Sequence, residues 1–175
     1  MKKLFSLIAI LLLACMVHLS CNEATDDPKF SDSLVTIESI EPQPFCSIPS
    51  ADIGGTFWDD NATFTLANDA KDLDTMPTHF EDVVISRYTI SYQYSGPLGS
   101  VPSFEEHINV KINGGSTSVF DAVVVRAVDK IAGYFVSGTE ATATVVFYGK
   151  DTGGEDVQAS GTFTINFRDV CAGGG

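Results

Sequence analysis

Carboxylates are the side chains whose spacing comes nearest to a chemical site. Asp59-Asp60-Asn61, the Asp69, Asp72 and Asp74 group, Glu81-Asp82, and Asp151 with Glu155 and Asp156 all fall in segments that read as loops. A calcium ion takes six to eight oxygens from such groups. No segment matches an EF-hand loop or a nonapeptide repeat, so the default reading is acidic loops on an acidic protein and no cofactor is expected. Asp59, Asp60, Asp151, Glu155 and Asp156 are the residues calcium would use. Catalysis has less to work with. Beyond residue 21 there are two histidines, His79 in a loop and His107 on the polar face of a strand. Glu105 and Glu106 are adjacent on a strand, so they point to opposite faces and cannot form a glycosidase pair by themselves. No G-x-S-x-G, H-E-x-x-H, Walker or dinucleotide motif occurs, and an enzyme is not expected. Aromatic loop residues are the better binding elements. Phe57 and Trp58 lie between Gly-Gly and Asp-Asp, and Tyr134 and Phe135 lie with Ile131 and Val136 in a loop bounded by Gly133 and Gly138. Such side chains either plug the end of a β domain or anchor a protein or glycan there.

The elements around these loops read as strands almost throughout, with period two and β-branched or aromatic residues between Gly, Pro and Asn. Leu34 to Glu41 is a first strand, Pro42 to Asp60 a long irregular connection, and Ala62, Phe64 and Leu66 alternate with threonines before an acidic loop at 68–77. Val83 to Tyr94 is a strand with Val84, Tyr88, Ile90, Tyr92 and Tyr94 on one face. Ile108, Val110 and Ile112 lead into Asn113-Gly114-Gly115, the chemistry of a tight hairpin, and the return strand from Ser118 carries Val123-Val124-Val125. Asp121 to Ala132 has a helical alternative, and the three valines favour strand. Ala141, Ala143, Val145 and Phe147 then face Val157, Ala159, Gly161, Phe163, Ile165 and Phe167 across a second hairpin. Sheets apolar on one face must pack against another sheet. The expectation is an all-β, antiparallel Ig-like or fibronectin-like sandwich of about seven strands spanning 33–171, with a Gly-rich tail at 172–175.

The N-terminus has a different character. Lys2 and Lys3 precede an apolar run of about ten residues, too short for the roughly 20 that a bilayer requires, and this predicts a secretory signal peptide over 1–20. The run resembles the signal of bacterial lipoproteins, in which a cysteine after a lipobox is acylated and becomes the mature N-terminus. Leu12-Leu13-Ala14-Cys15 fits the lipobox better. Cys21 is followed at once by the polar Asn22-Glu23-Ala24-Thr25-Asp26-Asp27, and it gives a signal of normal length. Cys21 is the favoured lipidation (palmitate) site, with Cys15 as the alternative, and 21–32 reads as a short disordered tether. Asn22 after the cysteine implies outer-membrane sorting, with the domain facing periplasm or cell surface, and the acidic cluster is similar to lipoprotein surface-export tags. With Cys21 lipidated and Cys15 discarded, Cys46 and Cys171 remain as an even pair in an oxidising compartment, and a disulfide between them is expected.

Removing the signal leaves 155 residues with 8 basic and 23 acidic side chains, a formal charge of −15. A domain that acidic, without a basic stripe, repels phosphate backbones, which excludes nucleic acid as a partner. The runs "DVVISRYTISYQY", "AVVVRAV" and "ATATVVFYGKDTGGEDVQASGTFTINFRD", within residues 80 to 170, resemble small lipoproteins of environmental Gram-negative bacteria, notably deltaproteobacteria. That resemblance implies a single Ig-like sandwich and supplies no catalytic residues. The expected function is a lipid-anchored envelope protein whose sandwich is a non-catalytic interaction or structural module, with an envelope protein or glycan as partner. The alternative is a carbohydrate-binding module using the loop aromatics.

Overall fold

The computed structural model describes residues 33–50, 55–70, 82–96 and 98–171. The expected signal, both lipidation candidates (Cys15 and Cys21), the tether, the Gly-rich tail, His79, Asp72, Asp74 and Glu81 lie outside them. Among the described residues no helix is long and apolar enough to cross a membrane.

Two sheets face each other. One has the order β1 (Ser33–Glu41), β3 (Asp60–Ala70), β8 (Ser116–Val125). The other has the order β2 (Phe45–Ser47), β10 (Asp156–Phe167), β9 (Thr139–Asp151), β4 (Val83–Gln93), β7 (Phe104–Ile112). A two-residue ladder, β5 (Ser95–Gly96) with β6 (Gly99–Ser100), and one helical turn, α1 (Ala127–Ile131), complete the described elements. Seven long strands form the expected sandwich. Its pairs are antiparallel except for β2, which runs parallel to β10 over three residues.

The core is aromatic, because alternation along each strand points large rings at one another. Phe64 on β3 meets Phe147 on β9 edge-to-face at 5.1 Å, and Phe120 on β8 meets the same ring at 5.5 Å, so both sheets share one cluster. The β9–β10 hairpin follows its sequence reading residue for residue, with Val145 opposite Gly161 and Ala143 opposite Phe163.

Five elements differ from expectation. In β4 a register shift between Ile85 and Arg87 inserts a bulge, so Val83 and Ile85 are buried and Val84 is exposed. Strict alternation had placed Val84 inside, and one extra residue reverses every face beyond it. Gly149 lies opposite Ile85, where an added Cβ would sit 2.4 Å from the Val84 carbonyl oxygen, and only a bare backbone fits there. Asn113-Gly114-Gly115 does make a turn, with Gly115 at φ 68°, but β7 and β8 do not pair. The turn carries the chain from one sheet to the other. The expected acidic loop at 68–77 begins later, since β3 continues to Ala70. Finally, β2 lies inside the supposed irregular connection, and the valine run ends at Val125, where α1 takes over after Arg126.

Two tyrosines join the sheets. Tyr88 and Tyr92 on β4 donate hydroxyl hydrogen bonds to the carbonyls of Val123 (3.1 Å) and Val124 (2.6 Å) on β8. Burial is the main cause that raises both phenols, Tyr88 to about 12 and Tyr92 further. The folded state therefore holds protons that the unfolded chain releases above pH ~10. The contribution of these two groups is expected to be flat below that pH and to fall as pH rises from about 10 to 12, on the order of 1 kcal/mol per pH unit for each tyrosine. Urea midpoints across this window test it, and a midpoint unchanged to pH ~11.5 would count against burial of both phenols.

Candidate functional site

The site begins at Asp59 and Asp60, where the chain turns into β3. Asp59 accepts a hydrogen bond from the backbone N–H of Ala127 (2.6 Å), the first residue of α1. Asp60 pairs with the ammonium of Lys130 at 2.7 Å and accepts the Ser47 hydroxyl. Lys130 also donates to the Trp58 carbonyl at 2.9 Å, and its side chain is only 4% exposed. A buried charge needs such partners. Beside it, Arg126 clasps the buried Asp129 through two bonds of 2.9 and 3.1 Å, and its guanidinium covers the Phe104 ring at 4.5 Å. These contacts tie α1 to the loop before β3.

The backbone of Trp58 is thus held while its side chain stands 67% exposed. It borders a cavity of about 270 Å³ together with Ile48, Thr56, Asp60, Lys130 and the sulfur pair Cys46 and Cys171. The cysteines are disulfide-bonded, with Cα atoms 5.8 Å apart. The bridge joins β2 to the residues just after β10, so it fixes the opposite wall. Exposed Leu98, Val128, Ile131 and Val136 lie on the other loops of this same pole. The pole is apolar, rigidly supported, and opposite the one where the chain enters: Ser33 pairs with Ala70, at the far end of β3 from Asp60. Eleven residues of strand separate the two, roughly 34 Å.

The four aromatic candidates part company. Trp58 is on the surface, and Phe57 and Tyr134 are half-buried. Phe135 is 5% exposed, stacked on Phe167 at 4.3 Å and flanked by Tyr92 and Tyr94. Its place between Gly133 and Gly138 suggested a loop tip, but those glycines fold the segment back and the ring closes the end of the core. A flat platform of Trp58, Tyr134 and Phe135 is therefore not assembled.

Four of the five calcium candidates are likewise engaged by protein groups. Asp59 and Asp60 are bound as above, the Asp151 carboxylate accepts the Glu155 N–H at 2.9 Å, and Asp156 pairs with Lys150 at 2.9 Å. Among the described residues no three His, Cys, Asp or Glu side chains gather into a metal site. His107 is exposed on β7, and the neighbouring Glu105 pairs with Arg87 at 2.7 Å, while Arg87 stacks on Tyr148. Sequence reasoning passed over Lys130, whose burial depends on a helical turn set against a loop 70 residues away.

No family model matches the chain, and no curated protein matches its sequence. Among solved structures the chain is similar to the protein assigned as ApaA from Bordetella pertussis, with a TM-score of 0.48 and 12% identity over 81% of this chain and 99% of that one. It is also similar to Spo0M, the sporulation control protein of Bacillus subtilis, with a TM-score of 0.41 and 12% identity over 77% of this chain and 49% of that one.

Proposed function

We infer that this chain is a lipid-anchored protein of the bacterial cell envelope, attached to the outer membrane through acylated Cys21, and that its sandwich is a non-catalytic module for protein contacts. The observation that carries this reading is the polarity of the domain. The chain enters at Ser33, and the apolar pole bearing Trp58 stands at the other end of β3. A tether that joins the domain at Ser33 joins it at the end of β3 remote from Trp58. Trp is the residue type most enriched where interfaces concentrate their energy, and a pre-held backbone lowers the entropy lost on contact. Asp60, the carboxylate in the cavity wall, is already neutralised by Lys130, which favours binding over chemistry. Burial of Phe135 weighs against the glycan alternative, which relied on that ring.

Two measurements test the reading. Cys21→Ala is expected to move the protein out of the membrane fraction and abolish labelling by a palmitate analogue, whereas labelling retained in Cys21→Ala and lost in Cys15→Ala would transfer the anchor to Cys15. Trp58→Ala is expected to leave thermal stability within about 2 °C, because the side chain is solvent-facing. Capture of the same envelope proteins by both wild type and Trp58→Ala would refute a role for this pole.

A further inference from the structure

Sheet edges are where one chain can add to another, and native proteins usually block them. In this domain the blocking is unequal. The edge strand β1 carries Glu38 and Glu41 and a register shift between Ile37 and Ser39. β2 is three residues long and follows Pro42 and Pro44. The part of β10 that β2 leaves uncovered is overlain by β1, whose Ile37 stands against Gly161. β7 carries Glu105, Glu106, His107 and Lys111.

β8 has the fewest of these devices, with its one register shift at Val124, at the far end of the strand. Among the described residues it pairs only with β3, in unbroken register from Ser116 to Val123. Its single charge is Asp121, whose carboxylate already accepts the Thr63 hydroxyl at 2.7 Å. Val119, near its middle, is 65% exposed, and Phe120 is only half-buried although its ring belongs to the core cluster. The strand is β-prone, nearly uncharged and open.

We propose that β8 pairs antiparallel with β8 of a second copy of this chain, joining two three-stranded sheets into one of six strands. The sequence suits a two-fold axis through Val119. That axis sets Val119 against its own copy, and on the same face it places Thr117 opposite Asp121, so a threonine hydroxyl meets each carboxylate as Thr63 already does within the chain. On the inner face Ser118, whose hydroxyl donates to the Lys111 carbonyl on β7 at 3.0 Å, falls opposite Phe120. No like charges oppose one another along the seam. Self-pairing is also compatible with symmetry, since a closed two-fold contact uses the same patch twice and leaves neither β8 edge free.

The two copies are both strongly acidic, and this gives the contact a salt signature. Charges beyond about 8 Å are screened at physiological ionic strength, so raising salt should strengthen the dimer, the reverse of a contact held by ion pairs. Sedimentation of the full chain, with detergent micelles in excess over protein, is expected to show a monomer–dimer equilibrium with Kd on the order of 100 µM that tightens with salt. Val119→Lys, which adds the edge lysine that β8 lacks, should weaken association at least about tenfold. Leu98→Lys at the apolar pole should not. Val119→Cys should give a disulfide-linked dimer on mild oxidation while Val84→Cys, exposed on β4, does not, and this arm holds even if Val119→Lys fails to fold. A chain monomeric at every concentration and salt, or a dimer lost in Leu98→Lys and kept in Val119→Lys, would overturn the proposal.

Discussion

Replacing Cys46 and Cys171 together by serine is expected to lower the unfolding free energy by about 5 kcal/mol, the largest effect of any change outside the aromatic core. The bridge spans 125 residues of sequence, and closing so long a loop removes much of the freedom of the unfolded chain. Domains of this size are stable by about 5–15 kcal/mol, so the loss is a large share of the total. It corresponds to a fall in Tm of roughly 15 °C. The damage should begin locally. β2 is held by only three residue pairs to β10, and the bridge is what closes that end, with Phe45 edge-to-face on Phe163 beneath it. Both cysteines are half-buried and line the cavity beside Trp58, which gives a reductant a route to them. The cavity beside Trp58 loses one wall when they part. Thermal melts of oxidised, reduced and doubly substituted protein measure the effect, and coincident midpoints would show that the bridge carries no stability.

How far the sequence spoke for the structure depends on the kind of interaction. Strands β9 and β10 were legible because their faces are set by alternation within one hairpin, a local and strictly periodic signal. The cysteine pairing was legible by counting once the N-terminal cysteines were assigned to the lipid signal. The bulge at Ser86 was not, since the compensating glycine, Gly149, lies 63 residues away and looks like an ordinary turn residue beside Lys150 and Asp151. Asn113-Gly114-Gly115 has hairpin chemistry, and that chemistry fixes only the backbone turn. Whether the next strand pairs or crosses to the other sheet is decided by β3, which claims β8 through Phe64 and Phe120. Phe135 and Trp58 were indistinguishable as aromatic residues in glycine-bounded loops, and tertiary packing sent one into the core and left the other in solvent.

Replacing Asp60 is expected to harm the domain more than replacing Lys130, although the two form one ion pair. The asymmetry follows from burial. The Lys130 side chain is 4% exposed and that of Asp60 is 22% exposed. Asp60→Ala strands an ammonium with the Trp58 carbonyl alone, and an uncompensated buried charge costs about 3–5 kcal/mol. Lys130→Met keeps the volume of the buried stem and leaves a carboxylate that still has the Ser47 hydroxyl and a path to water, so a loss of about 1–2 kcal/mol is expected. Asp60→Asn preserves size and isolates the charge, and it should fall between the two. The double variant Asp60→Ala with Lys130→Met should regain most of what Asp60→Ala loses, because neither charge is then stranded. Denaturant midpoints of the four proteins decide it, and a Lys130→Met variant as unstable as Asp60→Ala would contradict the burial argument. The same series separates stability from presentation. Lys130→Met removes the hydrogen bond that holds the Trp58 carbonyl while keeping the fold, so any partner that depends on the placement of Trp58 should be lost in it at a temperature where the domain remains folded.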